Sequence, residues 1–148
     1  MKTSICLLLF SPNLQLLYLS SFYAISNEGI GQVLKKSSKI RHLNFAHCSR
    51  LKQLIMNLKV STLVVLNLLH TRICDKSLYM ISTSCFGLLH LDLGHCYNVT
   101  ENGVMQIVEN CTQLREINLQ GCCKVVADVF VAEIFLASWM PCVLVCWK

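Results

Sequence analysis

Residues 85–107 read CFGLLHLDLGHCYNVTENGVMQI, and this stretch decides how the rest of the chain is understood. Leu88, Leu91 and Leu93 form the pattern L-x-x-L-x-L. In an extended chain successive side chains point to opposite faces, so Leu91 and Leu93 share one face while His90 and Asp92 share the other. Past Cys96 the apolar spacing changes. Val99, Val104, Ile107 and Val108 follow at helical intervals, and Thr100 stands where an N-cap belongs. The stretch therefore encodes a strand, a turn and a short helix.

Working outward, the same pattern recurs at Leu14-Leu17-Leu19, Ile40-Leu43-Phe45, Leu63-Leu66-Leu68 and Leu114-Ile117-Leu119. First members lie 26, 23, 25 and 26 residues apart, and a further period reaches Met140, Val143 and Val145 as a degenerate sixth strand. Helical apolar sets return as Ile25, Ile30, Val33, Leu34 and as Ile73, Leu78, Ile81. Ser26 suits a second N-cap, and Gly29 and Gly103 share one phase. The second unit is short and lacks the helix signature. One such unit cannot bury its own apolar face, so units must stack. The fold class expected is α/β, a leucine-rich-repeat solenoid: a right-handed strand-helix horseshoe with a parallel sheet on its concave face. Residues 1–11 read as the tail of a preceding repeat helix. Residues 12–126 read as four to five repeats, and 127–148 as a degenerate repeat or a divergent apolar tail.

The phrase Cys85-x-x-Leu88-x-x-Leu91-x-Leu93-x-x-Cys96-x-x-Val99-Thr100-Glu101-x-Gly103-Val104-x-x-Ile107 closely resembles the cysteine-containing repeat of F-box/leucine-rich-repeat proteins. Cys111-x-x-Leu114-x-x-Ile117-x-Leu119-x-x-Cys122 repeats its first half, and Ser11-Pro12-Asn13-Leu14 looks like that family's lead-in to a strand. The run from Leu114 to Cys122, LREINLQGC, looks like a plant member. The resemblance covers roughly Ser11 to Val126. It implies that the repeats hold a protein substrate for ubiquitin-dependent degradation, with an F-box recruiting a Skp adaptor and a cullin ligase. No F-box is legible here, so that assembly would need an F-box encoded elsewhere. Two other readings stay open: the repeat region of an immune or receptor-like protein, and a truncated fragment without independent function.

Composition narrows the classes. Apolar residues make up 54% of the chain and charged residues 14%, as suits a unit of a stacked array or a membrane protein. The last apolar stretch, Val125 to Trp147, contains Asp128, Glu133 and Pro141, which argue against a membrane-spanning helix. The run Ile5–Phe10 is short for a signal peptide, and no small-x-small cleavage site follows. The formal charge of +5 is scattered rather than gathered into a stripe with aromatics, so nucleic acid is not an expected partner. Most of the ten cysteines fall at repeat phases, as small buried hydrophobes would, which points to a reduced, cytoplasmic or nuclear chain.

No nucleophile elbow, phosphate loop, zinc-protease or dinucleotide motif occurs, so no catalysis and no cofactor are expected. The working surface should instead be the concave sheet face. Its middle column is Tyr18, Asn44, Asn67, Asp92 and Asn118, flanked by Leu16, Ser20, His42, Ala46, Val65, Leu69, His90, Gly94, Glu116 and Gln120. The candidate contact residues for a protein partner are Tyr18, His42, Asn44, Asn67, His90, Asp92, Glu116, Asn118 and Gln120. Just past the strands, His47, His70 and His95 share a phase. Strands lie about 4.8 Å apart, so these rings should form a ladder. A ladder along a sheet edge does not converge on one tetrahedral centre, and no metal is expected there.

Overall fold

The computed structural model describes residues 13–23, 27–54, 62–126 and 144–146. Six three-residue strands run in chain order across one sheet: β1 (Leu16–Tyr18), β2 (His42–Asn44), β3 (Val65–Asn67), β4 (His90–Asp92), β5 (Glu116–Asn118) and β6 (Leu144–Cys146). Every pairing is parallel, and the central residues form one line: Leu17, Leu43, Leu66, Leu91, Ile117 and Val145 are successive register partners. The fold is the α/β leucine-rich-repeat arrangement, with one strand per period. The sixth strand corrects the expected phase by two residues: Val145, rather than Val143, is the register partner of Ile117. Met140 and Val143 lie outside the described residues, as do the expected helix tail over 1–11 and nearly all of 127–148.

Among the described residues, three helices return the chain behind the sheet: α1 (Asn27–Lys36), α2 (Asp75–Ser82) and α3 (Glu101–Asn110). Each buries residues three and four apart, the stripe a helix turns towards a core. These are Ile30, Val33 and Leu34 in α1, Leu78 and Ile81 in α2, and Val104, Ile107 and Val108 in α3. They meet the strand leucines in one continuous core with Phe45, Leu68, Leu93 and Leu119. Truncating any such side chain to Ala typically costs ~2–5 kcal/mol. Leu19, expected in that core, is only partly buried, as is Leu14. Their counterparts in later units are sandwiched between two turns, whereas the first unit has a described neighbour on one side only. In the second unit, residues 48–54 turn and then run without regular structure, and no helix lies among its described residues.

The helix starts correct the expectation for Thr100. It occupies the N-cap position of α3 in extended geometry, but its side chain makes no cap bond within its own helix. Asp75, the first residue of α2, supplies the acceptor instead. Its Oδ1 accepts the Thr100 N–H at 2.8 Å and its Oδ2 accepts the Thr100 hydroxyl at 2.5 Å. One unit later Glu101 Oε1 accepts the Val126 N–H at 2.8 Å. The Thr100 N–H at the start of α3 is thus satisfied by a carboxylate from the preceding unit, which also suits the helix dipole. Gly103 follows from this. A Cβ there would sit 2.4 Å from Asp75 Oδ1 and 2.8 Å from its Cγ. Ser26, the other expected cap, lies outside the described residues.

Candidate binding face

The strand side chains that do not enter the core stand on the opposite face of the sheet, where no described element packs. Leu16 and Tyr18 on β1 are 53% and 62% exposed. Further along, His42, Asn44, Val65, Asn67, His90, Asp92, Glu116 and Asn118 are half-buried, and Gln120 is exposed. The nine expected contact residues therefore share one surface. They are not equivalent on it. An open cavity of about 430 Å³ lies over β3–β5, lined by Val65, Leu66, Asn67, His90, Leu91, Asp92, Glu116, Asn118 and Gln120. Tyr18, His42 and Asn44 stand outside it, towards β1.

The middle column is less free than a row of solvated amides. Asn44, Asn67, Asp92 and Asn118 each accept the backbone N–H two residues on, at 2.9, 3.0, 2.9 and 3.0 Å. A short side-chain oxygen is the group that can close this local turn, which is why Asn and Asp recur at the last strand position. Links also run across units. Ser20 donates to Asn44 Oδ1 at 2.9 Å, and Asn118 Nδ2 donates to Asp92 Oδ1 at 2.9 Å. On the row before them, His90 Nδ1 lies 3.2 Å from Glu116 Oε2, with both side chains nearly half exposed. Two flanking residues do not belong to the open surface as expected. Ala46 and Gly94 are buried, and a Cβ on Gly94 would meet Leu69 Cδ1 at 2.6 Å and Asn118 Nδ2 at 3.1 Å, so neighbouring side chains close over that position.

Beyond the strands the chain takes a left-handed turn in each unit. Ser21, His47, His70 and His95 have φ of 60°, 62°, 55° and 56°, and Gly121 has φ 70°. This geometry turns the backbone N–H towards the following unit. Ser21 donates to Ala46, His47 to Leu69, His70 to Gly94 and His95 to Gln120, at 2.7–2.8 Å. The imidazoles then stack, with ring centroids 4.8 Å apart for His47–His70 and 4.3 Å for His70–His95, tilted by 22° and 4°. Tyr97 meets His95 edge-on at 6.1 Å.

The next residue in each turn points inward. Cys48, Cys96 and Cys122 are buried, and each thiol donates to the carbonyl of the preceding unit's final strand leucine: Leu19, Leu68 and Leu93, at 3.0, 3.1 and 3.0 Å. Thr71 fills the same phase in the third unit, its hydroxyl 2.7 Å from the Leu68 carbonyl and 3.4 Å from Cys96 Sγ. Burial raises the pKa of the Cys48 and Cys96 thiols and pushes Cys122 up to about 11. Cys85 and Cys111, packed before their strands, are pushed to about 12 and 11 by the same desolvation, with the neighbouring Cys111 adding to the shift at Cys85. Such thiols stay protonated and are poor nucleophiles. Among the described residues, Cys48, Cys74, Cys96, Cys111, Cys122 and Cys123 carry free thiols, no three His, Cys, Asp or Glu side chains converge on a metal-ion position, and no helix is long and apolar enough to cross a membrane.

No family model matches the chain. Among solved structures it is similar to the C-terminal domain of tropomodulin from Caenorhabditis elegans, with a TM-score of 0.54 and 10% identity over 97% of this chain and 83% of that one. At that identity the likeness speaks for the repeat fold alone.

Proposed function

We propose that this chain is a protein-recognition module whose partner lies along the uncovered face of the sheet. One observation carries the reading. Side chains kept in phase over successive parallel strands present amide, carboxylate and imidazole groups around an open cavity of about 430 Å³ that no part of the described chain fills. Polar groups held at fixed spacing suit an extended segment, because each can meet one of its backbone or side-chain groups. Recognition rather than catalysis is the reading, since the buried thiols are protonated and His90 is paired with Glu116 rather than with a nucleophile.

The finer proposal is that this recognition serves ubiquitin-dependent degradation. The repeats would hold a substrate as they do in F-box/leucine-rich-repeat subunits, in the cytoplasm or nucleus, with the Skp adaptor and cullin ligase joined through an F-box outside these residues. Its support is the Cys85–Ile107 repeat phrase and the inward thiols at its cysteine positions. The test is affinity purification of the tagged chain from cells, beside a double variant, His42→Glu with Glu116→Arg, whose unfolding midpoint matches the parent. A partner lost by the double variant supports face recognition, and one that is retained refutes it. A Skp adaptor among the partners of the full gene product supports the ligase reading, and its absence there removes that reading.

A further inference from the structure

We infer that the His47–His70–His95 column is an acid-responsive edge, in which charging of neighbouring rings breaks the stack and loosens the turns that join the second to fourth units. The geometry carries this. Three successive turns place imidazoles face to face at 4.8 and 4.3 Å, on backbones of φ 62°, 55° and 56° that hold them in line. Histidine is among the few residues that enter this left-handed region with any frequency, so the backbone accepts the ring without forbidding alternatives such as Asn. Neutral imidazoles stack well at these distances. Adjacent imidazolium ions at the same distances repel, and the exposed edge offers few groups to neutralise them.

The surroundings of the column bear this out. His70, in the middle, has its pKa lowered by desolvation between the flanking rings and by the positive charge of His95 and of His47, against which Asp92 acts weakly in the other direction. The Tyr97 hydroxyl lies 3.4 Å from His95 Nδ1. On the far side His95 is seated on Gly121, where a Cβ would fall 2.5 Å from its Nδ1. The last ring of the column thus lies close over that glycine. The cations of the same turns, Arg50, Arg72 and Lys124, are exposed. Asp92 is the single carboxylate that acts on the middle ring, and its Oδ1 is already bonded to the Gly94 N–H and Asn118.

The sign follows. Above the ordinary imidazole range both folded and unfolded chains hold neutral rings, and the stack is intact. As pH falls, the unfolded chain takes up protons that the folded middle ring resists, so the folded state loses ground. The experiment is a pair of titrations on the full chain: NMR of the imidazole Cε1 protons, and urea midpoints between pH 7.5 and 5.5. His70→Asn keeps a residue that tolerates positive φ and removes the central charge. The expected result is that the urea midpoint of the variant falls by half as much as the parent's, or less, over the same range. An equal fall in midpoint in parent and variant would overturn the inference. If His70→Asn fails to fold, the same comparison with His47→Asn decides it through the titration of His70.

Discussion

His47 and Cys48 are neighbours in the chain, as are His95 and Cys96, yet they meet opposite fates. The histidines stand exposed or half-buried in a stack along the sheet edge, while the cysteines are at most 1% exposed. One backbone feature makes both. The left-handed residue sends its N–H forward to the next unit and its ring outward; the residue after it turns inward and sends its thiol back to the preceding unit. Each turn is thereby bonded to both neighbours. The difference teaches that units of this array are joined by directed polar contacts as well as by stacked leucines. It also shows that the inner half of the turn tolerates little change while the outer half can be altered.

The sharpest way to break that contrast is a charge placed on each side of one turn. Cys96→Asp puts a carboxylate where there is no water and where the Leu68 carbonyl faces it, and should cost about 3–5 kcal/mol, enough to unfold a domain of ordinary stability. Tyr97→Asp, one residue on and 52% exposed, should stay within about 0.5 kcal/mol. Urea melts of the two variants at pH 7 decide it, and similar midpoints would end the distinction between inner and outer halves.

Alkali gives the next largest effect. Folded Cys85, Cys111 and Cys122 hold their protons up to about 12, 11 and 11, against 9.0 for an ordinary thiol. Below pH 9 both states are protonated and thiol burial counts in full. Above it the unfolded chain loses protons that the folded chain keeps, so stability should fall by about 1.4 kcal/mol per pH unit for each thiol until the folded values are reached. Urea midpoints from pH 8 to 10.5 test this, with Cys111→Ala expected to flatten the decline. A third effect concerns the carboxylate joint between α2 and α3. Gly103→Ala drives a methyl into Asp75 and should cost about 1–2 kcal/mol, although Ala favours helix. Adding Asp75→Ala removes the clash, so the double variant should be less destabilised than the sum of the single changes.

Much of this was legible in the sequence. Leucine spacing placed the strands because alternation within each strand and a period near 25 residues leave one register in which every apolar face is covered. The open-face row from His42 to Gln120 followed from the same alternation. Two things were not legible. Asn44, Asn67, Asp92 and Asn118 read as groups open to a partner, but each closes a turn onto a backbone N–H two residues away, a contact that needs the chain to reverse after the strand as well as a short side-chain oxygen. Thr100 read as its own helix cap, whereas the acceptor comes from Asp75, 25 residues earlier, through stacking that no local window contains. Gly103 held the one available signal, since a glycine in a helix interior is unfavourable unless something occupies the space of its side chain.

The smallest effect sharpens the account of the inner half. Ser37 occupies, in the first unit, the phase that Cys85 and Cys111 occupy later; all three N–H groups bond back to a helix carbonyl, on Val33, Ile81 and Ile107. Ser37 is 1% exposed, and its hydroxyl has no partner among the described residues. A thiol loses less than a hydroxyl when it leaves water without a strong bond, and it fills more apolar space. Ser37→Cys should therefore raise stability by about 0.5–1 kcal/mol, with Ser37→Ala gaining less because it leaves a small void. Thermal unfolding at pH 7 under reducing conditions gives the order Cys above Ala above Ser. If Ser proved the most stable of the three, the buried thiols of Cys85 and Cys111 would owe their place to something other than the dryness of the position.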